Sequence, residues 1–234
     1  MPTLHQVELL GKESCDESVV TFRFSRPEGY SFRAGQWFRL FLQTSEGEVA
    51  ETFSHCAAPG DSDIELTTRL SGSPFKHALR TLARGDSVTV SSPGGRLAIP
   101  TDVEKVCFLV GGVGITPVRS MLRDAQQVGR NFDDAVLFYG NRDERCAPFA
   151  GEFLAMAGMG VRTVLCFEHA SEGWKGERGF ITGDTVRRHV DPLDGRTFLV
   201  AGPPVMVEVM QLLLDELGVP QPSRIVEHFG AALR

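Results

Sequence analysis

Residues 106–121 read VCFLVGGVGITPVRSM. Five apolar residues, Val106 to Val110, lead into three glycines in four positions, Gly111, Gly112 and Gly114, and then into Ile115, Thr116 and Pro117. A short continuous apolar run bounded by glycine reads as a buried strand. Thr116 is a good N-cap and Pro117 suits a first helical position, so the spacing predicts a helix from there. The glycines between have two readings: a sharp turn, or a backbone brought close to a ligand. On the second reading the helix N-terminus, with its free N–H groups and positive dipole end, faces whatever lies over Gly112–Gly114, which suits a diphosphate.

Working outward, the chain has two patterns. After about residue 101 the apolar strands KVCFLV, DAVLFYG, VRTVLCF and RTFLVAG alternate with helix-like segments 117–129, 147–158 and 204–217. Strands alternating with helices predict βαβ units and a parallel sheet. The first hundred residues instead alternate apolar with polar in short runs at 18–25, 35–43, 48–56, 62–70 and 86–93, the pattern of an antiparallel barrel or sandwich. One short helix interrupts them, with apolar residues at Phe75, Ala78, Leu79 and Leu82 and an end at Gly85. The boundary falls near AIPTDVEK (98–105), giving an antiparallel barrel over 1–100 and an α/β parallel-sheet domain over 101–234.

Composition narrows the function. The formal net charge of −6 argues against a general nucleic-acid binder. No charged segment followed by an apolar one opens the chain, and no apolar run approaches the roughly 18–20 residues that span a bilayer, so no membrane insertion and a cytoplasmic location are expected. The five cysteines are scattered, without C-x-x-C spacing, so neither a metal site nor an iron–sulfur cluster is expected. Cys107 and Cys166, inside apolar runs, read as buried thiols.

Other strand ends carry chemistry. LFYGNR closes on Arg142, and an arginine there accommodates a ribose 2′-phosphate, with Arg178 in GERGF as a second cation; each alone also reads as a solvated surface arginine. FLVAGPPVMVEVM again runs strand, glycine, proline, helix, with Gly202 admitting a ligand and Pro203 or Pro204 starting the helix. In the first half, Phe53-Ser54 can pack a flat ring and donate a hydrogen bond to it, although Phe53 reads first as a core residue. Arg69, Lys76 and the 75–83 helix can meet phosphate.

Together these pieces resemble the ferredoxin–NADP⁺ reductase superfamily, in order and over nearly the whole chain. Its R-x-Y-S signature is similar to Glu51-Thr52-Phe53-Ser54, and its flavin-phosphate segment resembles GSPFKHALRTLARGD with the following SSPGGRLAIP. Its G-G-x-G-I-T-P loop matches Gly111–Pro117, its C-G-P-x-x-M resembles Ala201–Met206, and its E-x-F resembles Glu227-His228-Phe229. The resemblance implies an FAD-binding barrel followed by an NAD(P)-binding α/β domain. The flavin, FAD with FMN as the alternative, would meet Thr52, Phe53, Ser54, Thr68, Arg69, Ser73, Phe75 and Lys76, with Ser54 near its reactive edge and Phe229 covering its other face. The nicotinamide nucleotide, NADP(H) favoured over NAD(H), would meet Gly112, Gly114, Thr116, Pro117, Arg142, Arg178, Gly202 and Pro203. Three departures stand out: Glu51 in place of arginine, where a carboxylate repels a diphosphate, Phe53 in place of tyrosine, and Ala201 in place of cysteine.

The function so implied is an NAD(P)H-dependent flavoprotein reductase. Hydride passes to flavin and electrons go on to a separate acceptor: a ferredoxin, a flavodoxin, a Rieske-type protein, an oxygenase component, free flavin or an iron chelate. Catalysis of this kind is mainly a matter of orientation, so no His–Asp constellation is needed. His55 reads as a structural histidine or as a proton relay. The alternative function is a flavin- and nucleotide-binding regulatory or electron-transfer subunit without turnover of its own, which Glu51 and Ala201 motivate.

Overall fold

Alternation in the first hundred residues becomes a six-stranded antiparallel sheet in the computed structural model, which describes residues 2–193 and 195–228. The strands are β1 (Leu4–Ser14), β2 (Val19–Ser25), β3 (Trp37–Thr44), β4 (Gly47–Ser54), β5 (Asp63–Arg69) and β6 (Ser87–Ser91), with α1 (Pro74–Thr81) between the last two. Their order is β4-β3-β6-β1-β2-β5. One face of each strand points inward, so Phe22, Phe24, Phe38, Leu40, Ile64, Leu66 and Val90 fill a common core. Each large side chain fully buried this way contributes about 1.5–3 kcal/mol relative to exposure. β1 is not anticipated by the alternation, because only Val7 and Leu9 of its residues are buried and its register on β2 slips between Leu9 and Gly11.

The later residues build a six-stranded, all-parallel sheet. Its strands are β7 (Lys105–Gly111), β8 (Asp134–Asn141), β9 (Val161–Phe167), the two-residue β10 (Glu177–Arg178), β11 (Thr197–Gly202) and β12 (Arg224–His228), in the order β10-β9-β8-β7-β11-β12. In β7 every residue after Lys105 is buried, as a strand covered on both faces requires. Helices α2 (Ile115–Gln127), α3 (Ala150–Ala155), α4 (Gly183–His189) and α5 (Pro204–Glu216) complete the set. Val186 and Val190 from the α4 region and Val207, Met210 and Leu214 of α5 bury against Cys107, Leu109, Phe138, Phe198 and Val200.

Three helices depart from expectation. α2 starts at Ile115 behind a 3₁₀ turn over Gly112–Gly114, so Thr116 and Pro117 lie inside its first turn and Thr116 is not its N-cap. α3 is shorter than the segment 147–158 and passes into a 3₁₀ turn, Met156–Met159, closed by Gly160. α4 is absent from the sequence reading. Only Thr185 and Val186 are buried on it, too few to show periodicity, and the Thr182 side chain caps it by accepting from Thr185 N at 3.2 Å.

The chain divides into two compact units. One holds the residues up to Ala98 together with Thr116–Gln127; the other holds Ile99–Ile115 and the residues from Val128 on. α2 therefore groups with the barrel. Arg119 Nη1 donates to Cys56 O at 2.9 Å and to Glu65 Oε2 at 2.7 Å, Ser120 Oγ donates to Ala57 O at 2.6 Å, and Arg123 and Gln127 both reach Asp61 Oδ1, at 3.0 and 2.7 Å. No helix among the described residues is long and apolar enough to cross a membrane.

Candidate functional site

Parallel register brings the carboxyl ends of β7, β8 and β11 to one edge of the sheet, since Gly111 pairs with Gly140 and Val110 with Ala201. That edge is where open α/β sheets bind ligands. It carries the glycine turn, the Asn141-Arg142 pair and the Gly202-Pro203 turn.

Two glycines of the turn are there for different reasons. Gly112 has φ +51°, a conformation that L side chains avoid, and a Cβ there would meet nothing within 4 Å. At Gly114 a Cβ would lie 2.6 Å from Gly202 Cα and 2.7 Å from Ala201 O, so the two strand-end turns pack backbone to backbone. Tyr139 Oη donates to Gly112 O at 3.2 Å and ties the turn to β8. Thr116 is buried, 2% exposed, and Pro117 is buried beside it.

The two arginines differ in employment. Arg142 is exposed, one residue beyond β8. Arg178 gathers a loop: Nη1 donates to Ala170 O at 3.2 Å, and Nη2 to Ser171 O, Glu172 O and Trp174 O at 2.7, 2.9 and 3.1 Å. Its donors serve the 170–174 backbone. Sequence reasoning passed over Asn141. Its Nδ2 is buried without a hydrogen-bond partner among the described residues, and a buried amide in that state is poised for a ligand acceptor. A polar residue closing an apolar strand, just after Gly140, was the available signal.

In the barrel unit, most of the expected flavin residues gather around Lys76. Lys76 Nζ lies 2.7 Å from Glu51 Oε2 and donates to Thr68 Oγ1 at 3.0 Å. Ser73 caps α1 by accepting from Lys76 N at 3.2 Å, and the rings of Phe53 and Phe75 stack at 5.9 Å. Burial lowers the Lys76 pKa and Glu51 acts against that shift. Phe53 is 8% exposed and belongs to the core cluster, while Ser54, on the other face of β4, is 6% exposed. Thr52 shares the face of Ser54 and is exposed. Arg69 stands apart, its Nη1 donating to Ser18 Oγ at 2.6 Å.

His55 is fully buried. Its ring stacks on Phe32 at 3.7 Å and 7°, its Nε2 is 3.3 Å from Tyr30 Oη, and its Nδ1 has no partner among the described residues. Burial, and secondarily the Arg26 charge, pull its pKa down to about 3. The ring is neutral throughout the physiological range.

A ferredoxin–NADP reductase B from Sorangium cellulosum is 30% identical to this chain over 224 residues, covering 88% of the chain and 89% of that protein. This chain belongs to the ferredoxin–NADP⁺ reductase family. Residues 108–211 match the family described as Oxidoreductase NAD-binding domain. The propane 2-monooxygenase reductase component of Mycolicibacterium goodii is 27% identical over 97% of this chain and 68% of its own length. In fold, a ferredoxin NADP⁺ reductase from Neisseria gonorrhoeae, solved with bound FAD and NADP, superposes with a TM-score of 0.85 at 21% identity, over 97% of this chain and 99% of that one.

Members of the ferredoxin–NADP⁺ reductase family are NAD(P)H-dependent flavoprotein oxidoreductases, and the residues present fit both groups. The open space over Gly112 and the unpartnered Asn141 amide suit a nucleotide at the strand ends. The Lys76 ammonium suits a phosphate in the barrel. Glu51, read from sequence as repelling that phosphate, is paired with Lys76. Phe229 lies outside the described residues.

Proposed function

We propose that this chain is an NAD(P)H-dependent flavoprotein reductase that serves a separate protein electron acceptor, with FAD as its flavin. Bound flavin supplies the redox chemistry, accepting hydride from the nicotinamide and releasing electrons singly. The chain's own work is binding and orientation. The open turn at Gly112 leaves backbone N–H groups for a diphosphate at the start of α2, and Gly114 and Gly202, packed backbone to backbone, hold the two strand-end turns beside which the nucleotide would lie. Asn141 donates to the nucleotide, and Arg142, the exposed cation at the end of β8, takes a 2′-phosphate, which favours NADPH. In the barrel unit Lys76 and the capped start of α1 meet the flavin phosphate, Phe53, backed by Phe75, lies against one face of the ring system, and Ser54 donates to its reactive edge. The ferredoxin and the monooxygenase in the names of two relatives support a small redox protein or an oxygenase as that acceptor.

The observation that carries this reading is the close packing of the Gly114 and Gly202 turns at the carboxyl ends of β7 and β11. The test is purification under flavin-sparing conditions followed by anaerobic mixing with each coenzyme. Yellow protein whose flavin bleaches faster with NADPH than with NADH is the expected result. A second reading, a nucleotide-binding subunit without turnover, rests on Glu51 at the flavin side. Colourless protein that takes up no FAD or FMN and oxidises no NAD(P)H with an artificial acceptor would establish that one instead.

A further inference from the structure

β4 and β5 are the two terminal strands of the antiparallel sheet, and among the described residues no ladder joins them. Lys76, in the first turn of α1, spans that open side. It holds Glu51 of β4 at 2.7 Å and Thr68 of β5 at 3.0 Å, with its ammonium 4.3 Å from the ring centre of Phe53 and 5.5 Å from that of Phe75. The Lys76 side chain is 11% exposed and that of Glu51 33%. A cation so deeply placed needs a counter-ion, and Glu51 is the carboxylate that provides it.

We propose that Lys76 is a latch across the open side of the barrel, released when a flavin phosphate replaces Glu51 as its counter-ion, so that flavin is an exchangeable ligand of this protein and not a permanently held group. The proposal rests on the flavin reading above. Its physical basis is substitution: the ion pair gained with phosphate is offset by the ion pair lost with Glu51, and the two anions are left as neighbours. Glu51, one-third exposed, can turn to water at modest cost, which keeps the exchange reversible. Lys76 has three donors and can keep Thr68, so the exchange frees the β4 end of the latch.

The test uses the full chain stripped of flavin and titrated by fluorescence with FMN, FAD and riboflavin, the last lacking phosphate. In Glu51→Gln the buried ammonium has no anionic partner until phosphate arrives. FMN and FAD should then bind at least about tenfold more tightly and dissociate correspondingly more slowly than from the wild type, while riboflavin changes by less than about twofold. Glu51→Ala gives the same contrast if the Glu51→Gln substitution disturbs the fold, and Lys76→Gln should weaken FMN while sparing riboflavin. The latch is overturned if Glu51→Gln leaves FMN and FAD unchanged or weaker, or tightens riboflavin equally. If the wild type and all variants bind none of the three flavins, the flavin reading itself falls, and the latch with it.

Discussion

Arg119 of α2 lies 2.7 Å from the Glu65 carboxylate of β5, with both side chains largely buried, 8% and 17% exposed. The same guanidinium nitrogen donates to the carbonyl of Cys56, two residues beyond the end of β4. The segment after Ser54 is thus held by the helix that follows the glycine turn. Removing one partner of a buried pair strands the other, so Arg119→Ala should cost about 3–5 kcal/mol of stability. Arg119→Met combined with Glu65→Leu should recover much of that loss. Chemical denaturation of the single and double variants checks both values.

His55 makes stability depend on acid. Its folded pKa lies near 3, below the ordinary histidine value, so the unfolded chain binds more protons between those two limits. Its contribution is complete above the unfolded pKa of roughly 6.5 and is lost as pH falls toward the folded value. Between pH 7 and pH 4 the loss should reach about 3 kcal/mol. His55→Phe, which keeps a flat ring against Phe32, should remove that share of the slope. Unfolding midpoints measured at half-unit pH steps decide the matter.

The two glycines of the turn should fail differently. Gly112→Ala places a side chain in open space but at φ +51°, a strain of about 1–2 kcal/mol, so stability falls while the packing of the turns is unaltered. Gly114→Ala drives a methyl to 2.6 Å from Gly202 Cα, which must push the β7 and β11 turns apart. The expected signature is a rise in KM for NAD(P)H of about tenfold or more, since misplacing a binding backbone by fractions of an ångström is costly. Steady-state kinetics beside denaturation midpoints separates the two.

Arg142 and Arg178 should also separate. Arg142→Ala removes an exposed cation and should raise KM for NADPH about tenfold while changing NADH by about twofold or less, as loss of a charge-assisted contact to one phosphate predicts. Arg178→Ala releases four carbonyls of the 170–174 loop and should affect both coenzymes alike. Equal effects of Arg142→Ala on the two coenzymes would remove it from the 2′-phosphate role.

The parallel strands were legible because burial on both faces leaves continuous apolar runs, and the turns at their ends because glycine and proline punctuate them. β1 was not, since two inward residues and a register slip leave little alternation. In the sequence Glu51 and Lys76 each speak only through their own charge, one repelling phosphate and one attracting it. Their pairing depends on where α1 lands beside β4, which local pattern does not encode. Likewise Arg119, Ser120 and Arg123 read as the polar side of a helix, while their partners Glu65, Ala57 and Asp61 lie far back in the chain.

The grouping of α2 with the barrel bears on how the protein emerges from the ribosome and on where it can be cut. A nascent chain that has reached Ala98 has every strand of the first sheet but lacks the helix whose side chains bind Cys56, Ala57, Asp61 and Glu65. By the time Gln127 is synthesised β7 is already out, while its sheet neighbours β8 and β11 have yet to be made. The barrel unit therefore cannot be completed before the second sheet has begun. A fragment ended at the compositional break near residue 100 would leave those anchoring groups without α2, and a chimera that grafts this barrel onto another reductase should carry the chain through Gln127.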